Sequence, residues 1–335
     1  MLSRRRFVAA AAGAGIAAHS LILAQRAFAQ TIARPARMIV GFSAGGGVDA
    51  VARLLVEHTR GYAQSLIVEN RTGAGGRLAL ETLKAAEPDG SVMGLMPADQ
   101  LSLYPHIFRR LNYRPLEDYA PVGVVCSFQF VLAIGPRVPA EVKTLADFVA
   151  WSKANPGAAS IGTAGVATLP HFILLTLARA AGTELVHVPY KGAATALQDM
   201  IGGHLAGVIS SIGSLVPHLQ PGQSGPARAL ATTAPSRSAA LPHVPAIGEA
   251  GYPALADMGV ERLGVLVPAR TPAAVVAALN GAIRAAVAAD AVKAGLARLG
   301  FDPSEASPAE FGRIIAADTQ RWAEVVKTTG FKPID

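Results

Sequence analysis

The amino-acid sequence predicts an α/β protein with two domains. Two stretches of the chain alternate short apolar runs with helical patterns, which indicates parallel strands joined by crossover helices. Apolar residues make up 51% of the 335 residues but aromatic residues only 6%, and there are 34 glycines. This composition favours helices packed closely on a sheet over an aromatic-rich β-sandwich. A chain of this length can bury a substantial core in each of two domains.

The first alternating unit covers residues 38–96. An apolar run at 38–42 predicts a buried strand, three glycines at 45–47 break it, and apolar residues then recur at helical spacing to about Arg60. A strand, a glycine turn and a helix in this order aim free backbone N–H groups and the positive end of the helix dipole at an anion. Glycine suits the turn because a side chain would hold a ligand away from the backbone. Further strands are predicted at 66–68 and 92–96, with a helix at 78–86 between them.

A second alternating unit follows an irregular segment. Residues 97–116 contain three prolines and are predicted to be irregular, and extended runs at 122–125 and 128–134 then lead into the second domain. A return strand at 260–267 brings the chain back, and two C-terminal helices begin at Pro272 and Pro308. The predicted domains are 30–134 together with 259–335, and 135–258. In the second unit, strands are predicted at 160–162, 185–188, 205–209 and 229–231, helices after Thr144, from Pro170 and after Gly192, and a surface loop at 222–226.

Residues 1–29 have the organisation of an export signal. Arg4, Arg5 and Arg6 precede a mildly apolar stretch, and Ala-Phe-Ala at 27–29 matches a signal-peptidase site. The paired arginines between Ser and Phe match the twin-arginine type of signal. Glycines and polar residues interrupt the apolar stretch, which falls short of the ~20 apolar residues that a membrane span needs. We therefore expect cleavage after Ala29 and a soluble periplasmic protein.

Charge and cysteine content argue against several classes of protein. The formal charge of +7 falls to +3 without the four arginines of the predicted signal, and the remaining cationic residues form no basic run. A nucleic-acid partner is therefore not expected. Cys126 is the only cysteine, which excludes an internal disulfide and a cysteine metal cluster, and we expect it to be a small core residue. No cofactor and no bound metal are expected.

Four strand-to-helix loops share small residues, hydroxyl groups and few charges. In open α/β sheets such loops gather beyond the carboxyl ends of the strands, where ligands bind. Facing one another across two domains, these loops would form an anion-binding cleft of backbone N–H groups and hydroxyls. A glycine loop alone is equally well explained as a tight turn. The four loops are residues 43–49, 163–168, 190–192 and 210–214.

The common catalytic and nucleotide-binding fingerprints are missing from the sequence. The glycines at 45–47 lack the Lys-Ser/Thr of a P-loop and the spacing of G-x-G-x-x-G. There is no G-x-S-x-G motif, and no two histidines have metal-ligand spacing. Three polar residues near the loops each have a structural and a functional interpretation. Asp49 complements the helix dipole, or else it orients the ligand loop or meets a ligand ammonium. Lys191 is solvated or meets a carboxylate, and His171 caps or packs or contacts a ligand.

Several motifs occur in order along the chain: Ile-Val-Gly-Phe-Ser-Ala-Gly-Gly-Gly-Val-Asp (39–49), Val-Glu-Asn-Arg-Thr-Gly-Ala-Gly-Gly (68–76), Pro-Asp-Gly (88–90), Lys-Ala-Asn-Pro-Gly (153–157) and His-Val-Pro-Tyr-Lys-Gly (187–192). Together they resemble the substrate-binding receptors of tripartite tricarboxylate transporters, the Bug-type family of periplasmic proteins. The resemblance covers essentially all of the chain after residue 29. It implies a two-domain, Venus-flytrap (type II-like) α/β fold with a mixed, mostly parallel sheet in each domain. It also implies a small carboxylate held in the cleft by backbone amides, hydroxyls and water.

The resemblance implies a ligand site formed by loops of both domains in a non-enzymatic, monomeric receptor. Two departures from the family pattern bear on the ligand: the loop at 163–168 is more apolar than usual, and Ser210 and Ser211 replace a common Asp or Asn. The two serines supply no carboxylate for a ligand ammonium and make an amino acid a less expected ligand. The more apolar loop favours a carboxylate with an apolar or aromatic body. The implied partner is a membrane permease, with a sensor protein as one alternative and an exported cofactor-containing enzyme as another. The ligand-binding residues predicted in this way are Phe42, Ser43, Ala44, Gly45, Gly46, Asp49, Ala98, Thr163, Ala164, Gly165, Thr168, His171, Tyr190, Lys191, Gly192, Ser210 and Ser211.

Overall fold

The computed structural model describes residues 32–219, 227–256, 258–329 and 331–334. The predicted export signal and the loop predicted at 222–226 lie outside the described residues. The strands are β1 (Ala36–Val40), β2 (Leu66–Asn70), β3 (Val92–Pro97), β4 (Tyr119–Ile134), β5 (Ser160–Thr163), β6 (Val186–Pro189), β7 (Gly207–Ser211), β8 (Arg228–Thr232), β9 (Val260–Pro268) and β10 (Asp302–Pro303).

Helices connect these strands, and a single 3₁₀ turn, Ala74–Gly76, precedes the second helix. The helices of the described residues are α1 (Gly47–His58), α2 (Arg77–Lys84), α3 (Asp99–Ser102), α4 (Tyr104–Ile107), α5 (Pro115–Asp118), α6 (Leu145–Ala154), α7 (Leu169–Ala181), α8 (Ala193–Ile201), α9 (Ile212–Leu219), α10 (Pro253–Ala256), α11 (Ala273–Ala288), α12 (Asp290–Arg298) and α13 (Pro308–Thr329).

The ten strands form one mixed sheet in the order β2–β1–β3–β9–β4–β7–β5–β6, with β8 and β10 also paired to β4. β1 pairs in parallel with β2 and β3, as the alternating pattern predicts, and β5 pairs in parallel with β6 and β7. Every pairing of β4 and β9 is antiparallel. The expectation of a mostly parallel sheet in each domain is therefore wrong. β9 and β4 run back between the two parallel sets and join them into one sheet.

β4 is one strand of 16 residues, where the sequence predicts two shorter runs. Its first part pairs with β9 and its second part with β7 and β8. The register against β9 shifts between Pro121 and Gly123 and again between Val124 and Cys126. Such bulges interrupt the alternation of side chains without ending the ladder, and they explain why one strand looks like two in the sequence.

The segment predicted to be irregular contains three short helices instead. Pro105 and Pro115 lie in the first turn of α4 and α5, where a missing backbone N–H costs no helical hydrogen bond. Tyr104 is fully buried and its hydroxyl donates to the Gly75 carbonyl at 2.7 Å. The prolines therefore begin helices here rather than break them, and the segment packs into the core.

The capping box predicted at Thr144 is present: its hydroxyl accepts the Asp147 N–H, and the Asp147 carboxylate accepts the Thr144 N–H. Ser307 and Glu310 form the same reciprocal pair ahead of α13. Each cap contributes about 1 kcal/mol to helix stability. In the part of the chain that the structure describes, no single helix is long and apolar enough to cross a membrane; α11 and α12 reach that length only as a pair bent by 70°.

Candidate ligand-binding site

Three loops that follow β1, β6 and β7 meet at one place. The Gly47 N–H donates to the Ser214 hydroxyl at 2.9 Å. This hydrogen bond joins the end of the β1–α1 loop (residues 41–46) to the first turn of α9. A Cβ added to Gly192, which follows β6, would lie 2.7 Å from the Ser43 backbone nitrogen. Real Cβ atoms do not approach a backbone atom so closely, so only glycine permits this contact. The loops on the two sides of the sheet are therefore in direct contact.

A small cavity of ≈ 50 Å³ lies between these loops. One water molecule needs about 10–15 Å³ on this measure, so the cavity has room for a few waters or for a group such as a carboxylate. Its walls combine the N-terminus of α1, the end of β7, apolar side chains and two acids. The lining residues are Phe42, Gly46, Gly47, Val48, Pro97, Asp99, Phe128, Phe130, Ala164, Thr168, Pro170, Ala193, Ser210, Ser211 and Glu261.

The N-terminus of α1 faces the cavity without a side-chain cap. Gly46 is the N-cap residue, and it lines the cavity together with Gly47 and Val48. An uncapped helix N-terminus presents backbone N–H groups and the positive end of the dipole to whatever occupies the space before it. This end of the cavity is therefore suited to an anion.

Asp49 does not face the cavity but holds the β1–α1 loop in shape. One of its carboxylate oxygens accepts the Gly45 N–H at 2.9 Å and Arg53 Nε at 2.8 Å, and the other accepts Asn70 Nδ2 at 2.9 Å. The same Asn70 nitrogen donates to the Phe42 carbonyl at 3.0 Å. Burial opposes ionisation of Asp49, but the hydrogen bonds from Arg53, Gly45 and Asn70 outweigh it and hold its pKa below the usual value. Of its two functional interpretations, the geometry favours orientation of the loop over contact with a ligand.

The end of β7 supplies hydroxyl groups. Ser211 Oγ and Ser214 Oγ lie 2.9 Å apart, and Ser214 Oγ also accepts the Gly47 N–H. One of the two hydroxyl protons of this pair joins the serines and the other remains free to be donated. The Ser210 hydroxyl is buried and has no hydrogen-bond partner among the described residues. A buried unpaired hydroxyl costs about 1–3 kcal/mol, so a ligand that pairs with it gains a corresponding advantage.

The β5–α7 loop, residues 164–168, is held by hydroxyls and an imidazole. Thr163 Oγ1 and Thr168 Oγ1 each donate to the Gly165 carbonyl at 3.0 Å. His171 Nδ1 accepts the Ala167 N–H at 2.9 Å, so the ring is neutral and carries its proton on Nε2. His171 thus positions the loop and does not line the cavity.

The His171 ring stacks on the His187 ring with centroids 3.8 Å apart. Burial lowers the pKa of His171 to about 4, with a further contribution from the His187 charge, and burial alone lowers the pKa of His187 to about 4. His187 Nε2 lies 2.7 Å from Thr163 Oγ1. Since Thr163 donates to Gly165, the histidine is the donor in this contact. The two rings are therefore neutral at pH 7.

Tyr190 and Lys191 lie at the rim of a second depression of ≈ 410 Å³ beside the cavity, together with Ala164 and Gly165. The Tyr190 hydroxyl donates to Asp199 at 2.5 Å, and Lys191 is exposed. Among the predicted ligand-binding residues, those that line the cavity are Phe42, Gly46, Ala164, Thr168, Ser210 and Ser211, and those outside its lining are Ser43, Ala44, Gly45, Asp49, Ala98, Thr163, Gly165, His171, Tyr190, Lys191 and Gly192.

Two buried acids in the cavity wall were missed by reasoning from the sequence. Asp99 begins α3 and Glu261 lies on β9, and both are at least 95% buried. Glu261 Oε1 accepts the N–H groups of Ala98 at 3.0 Å and Arg262 at 2.7 Å, and Asp99 Oδ2 accepts the Leu169 N–H at 3.2 Å at the start of α7. For Glu261 the available signal was a charged pair, Glu261-Arg262, inside the otherwise apolar run at 260–267.

The pKa values of these two carboxyls are both raised. Burial raises the pKa of Asp99 to about 7, although the N–H groups of Leu169 and Gln100 and a hydrogen bond from Glu261 act in the opposite direction. Burial and the Asp99 charge raise the pKa of Glu261 well above its usual value. Burial and the proximity of the two carboxyls therefore disfavour ionisation of both at once. No group of three or more His, Cys, Asp or Glu that could hold a metal ion is found in the described part of the chain.

The α/β sheet with a small cavity enclosed by strand-end loops places the protein among solute-binding proteins. Residues 51–331 match the model of the tripartite tricarboxylate transporter family receptor, TctC, and the chain belongs to this family of non-enzymatic receptors. It is 32% identical over 306 residues to protein BugT of Bordetella pertussis, with 90% of each chain covered.

Solved structures show the same fold. The periplasmic binding protein BugD is 28% identical, with a TM-score of 0.83 over 90% of this chain and 99% of its own. Rpa4515 of R. palustris, solved with adipate, is also 28% identical, with a TM-score of 0.82 over 90% of this chain and 99% of its own. The chain is thus a member of a family of periplasmic binding proteins with an α/β fold.

Proposed function

We propose that this protein is a periplasmic receptor that captures a small carboxylate in a cleft between two domains, 30–134 with 259–335 and 135–258. Backbone amides of the β1–α1 loop and of the α1 N-terminus bind the carboxylate, with help from the β7 hydroxyls and from water. Cleavage after Ala29 would release the receptor into the periplasm. The ligand is then delivered to the permease subunits of a tripartite tricarboxylate transporter; a sensor protein in place of the permease leaves the binding step unchanged.

The observation that carries this proposal is the uncapped N-terminus of α1 at one wall of the cavity. The N-cap residue Gly46 has no side chain to cap the terminus, Ser214 accepts only the Gly47 N–H, and Ser210 and Ser211 line the cavity beside it. An anion receives hydrogen bonds from both groups and a favourable interaction with the helix dipole. Binding of adipate by the structural relative Rpa4515 supports a carboxylate as that anion.

The contacts between the loops support a closed form of the cleft. Ser43 touches Gly192, Gly47 binds Ser214, and a Cβ at Gly165 would lie 3.1 Å from the Gly75 Cα. Closure of two domains over a ligand excludes water and strengthens each hydrogen bond in the site. With only ≈ 50 Å³ left inside, a ligand larger than a few heavy atoms requires the cleft to open further.

Thermal unfolding of the purified protein with aliphatic and aromatic mono- and dicarboxylates tests the proposal. A ligand that binds only the folded state raises the melting temperature. At a ligand concentration of 100 times its Kd, it adds about 2.7 kcal/mol to the free energy of unfolding. We expect at least one carboxylate to do so and the corresponding amide to have no effect. A panel in which no carboxylate shifts the transition would contradict the proposal.

A glycine variant tests whether the α1 N-terminus is the binding element. In Gly47→Ala the new Cβ would lie 2.7 Å from Ser211 Oγ and 3.1 Å from the Phe301 ring, so we expect affinity to fall at least about tenfold. Gly281→Ala is the matched control, since nothing lies within 4 Å of a Cβ at Gly281 on α11. Equal affinities of the two variants for the best carboxylate would remove the α1 N-terminus from the site.

A further inference from the structure

The cavity has two chemically different ends. Asp99 and Glu261 form one end, and their carboxyl oxygens are hydrogen-bond acceptors that already bind backbone N–H groups. The N-terminus of α1 with Ser210 and Ser211 forms the other end, which presents donors. Apolar side chains, among them Phe128 and Phe130, line the wall between them.

The pairing of β4 with its two neighbours fixes the separation of these ends. Phe128 on β4 pairs with Glu261 on β9, and Phe130 pairs with Ser211 on β7. Glu261 and Ser211 are thus two strand spacings apart across the sheet and two residues apart along it. With spacings of about 4.8 Å between strands and 3.3 Å per residue, their backbones are roughly 12 Å apart. The acids and the hydroxyls therefore cannot hold the same small group, and a ligand that reaches both must carry a different group at each end.

The Ser210 hydroxyl is a second, independent sign that the cavity is made for a ligand. Ser210 lines the cavity and is 95% buried, and its hydroxyl has no partner among the described residues. Buried hydroxyls are nearly always paired in folded proteins, so one left open in a cavity wall is explained by a ligand or an ordered water. The Ser210 hydroxyl is a donor suited to an anion, whereas the end of the cavity formed by Asp99 and Glu261 is not.

Asp99 also occupies a place that a second ligand carboxylate would otherwise take. Its Oδ2 accepts the Leu169 N–H, and Leu169 is the first residue of α7, whose N-terminus carries no side-chain cap from its own N-cap residue, Thr168. The protein thus supplies its own carboxylate to the second helix N-terminus of the cavity. A dicarboxylate would have to bring its distal charge against Asp99 with little water between them, which is strongly unfavourable.

From this arrangement we infer that Asp99 and Glu261 determine the ligand's polarity: the receptor takes a molecule with one carboxylate and, at its other end, a hydrogen-bond donor, best a protonated amine. This inference rests on the proposed carboxylate receptor and specifies its ligand class. It reverses the expectation from Ser210 and Ser211 that an ammonium finds no acidic partner. The acidic partner is present, but it comes from α3 and β9 instead of from the end of β7.

Matched ligand trios separate the distal group from chain length. Each trio has a carboxylate at one end and an ammonium, methyl or carboxylate group at the other. The trios are β-alanine, butyrate and succinate; 4-aminobutyrate, pentanoate and glutarate; and 5-aminopentanoate, hexanoate and adipate. Isothermal titration calorimetry at pH 8 measures the affinity of the full-length protein for each compound. At the best length we expect the ammonium compound to bind at least about tenfold more tightly than the methyl compound, and the dicarboxylate to bind most weakly.

Asp99→Asn tests the residue itself. Asn keeps an oxygen that accepts the Leu169 N–H but removes the charge. We expect the preference for the ammonium compound to disappear and the affinity for the matching dicarboxylate to rise at least about tenfold. Glu261→Gln provides a second variant, because its amide oxygen still accepts the N–H groups of Ala98 and Arg262. Glu57→Gln, an exposed acid on α1 outside the cavity, is the charge-matched control and is expected to keep the wild-type ranking.

The outcomes distinguish this inference from the proposed function. A dicarboxylate that binds the wild-type protein as tightly as the ammonium compound of its trio overturns the inference and leaves the carboxylate receptor standing. An unchanged ranking in both Asp99→Asn and Glu261→Gln also overturns it. If no compound of any trio or of the wider carboxylate panel binds, the proposed function itself fails. If one of the two variants does not fold, the ligand ranking of the other variant and that of the wild-type protein test the inference.

Discussion

The β1–α1 loop and the β5–α7 loop both contribute to the lining of the cavity and are held by different chemistry. One ionised carboxylate, Asp49, gathers N–H groups from its own loop, from β2 and from Arg53. The β5–α7 loop has no such charge: two threonine hydroxyls and the neutral His171 ring hold it. In both loops the more polar side chains fix the shape of the backbone. Toward the cavity, the two loops present backbone, small side chains and the Phe42 side chain.

The largest effect is expected from Asp49→Ala in the charged loop. The substitution removes the acceptor of the Gly45 N–H and one of the two acceptors of Asn70 Nδ2, while Arg53, whose side chain is 56% exposed, regains water. We expect a loss of about 3 kcal/mol in the free energy of unfolding, because hydrogen bonds to a buried charge contribute most to such a network. Urea unfolding monitored by circular dichroism measures the change.

Asp49→Asn is the graded control, since it keeps one acceptor oxygen and the size of the side chain. Its loss should fall between those of wild type and Asp49→Ala. A stable Asp49→Ala protein that also binds carboxylates normally would show that the loop keeps its shape without the network.

The comparison also shows how far the sequence determines the fold. Local patterns predict β1, β2 and β3 with their connecting helices, because each strand and turn is encoded within a few residues. The single strand β4 is not recognisable locally, since the bulges near Gly123 and Cys126 break its alternation. The antiparallel course of β9 between β3 and β4 depends on residues that are about 130–170 positions apart in the chain.

The same distinction applies to the candidate site. The glycine loop and the serines at 210 and 211 are visible in the sequence because each follows a predicted strand. The Asp99–Glu261 pair is not, because its members are brought together only when β3 and β9 pair. The sequence flags His171 as a candidate but does not reveal its role. The hydrogen bond from the Ala167 N–H to its ring depends on how the ring packs against His187.

Acid should lower the free energy of unfolding through His171, which holds the β5–α7 loop, and the variant His171→Gln measures this contribution. The folded pKa of about 4 lies below the ordinary value of 6.5, so the unfolded chain binds more protons between these values. This contribution to stability is complete above about pH 6.5 and is lost as the pH falls towards 4. Removal of His171 should reduce the slope of unfolding free energy against pH in this window by up to about 1.4 kcal/mol per pH unit.

The same substitution at the exposed His243 gives the reference slope, and urea titrations at half-unit pH steps supply the data. The contribution of Asp49 is distinguishable from that of the histidines in this experiment, because its lowered pKa places its own loss of stability at more acidic pH. Equal slopes in wild type and His171→Gln would mean that the stacked ring is protonated in the folded protein.

The smallest effect is expected from Thr168→Val, because Thr163 donates to the same carbonyl of Gly165. Each single threonine-to-valine change leaves that buried carbonyl one donor, so Thr168→Val should cost only about 1 kcal/mol. Thr163→Val should cost more, since it also removes the partner of His187. The double variant strips the carbonyl of both hydroxyls and should lose at least about 0.5 kcal/mol beyond the sum of the singles. Strict additivity in this cycle would mean that the hydroxyls act separately, and that the neutral loop, unlike the loop at Asp49, has no single centre holding it.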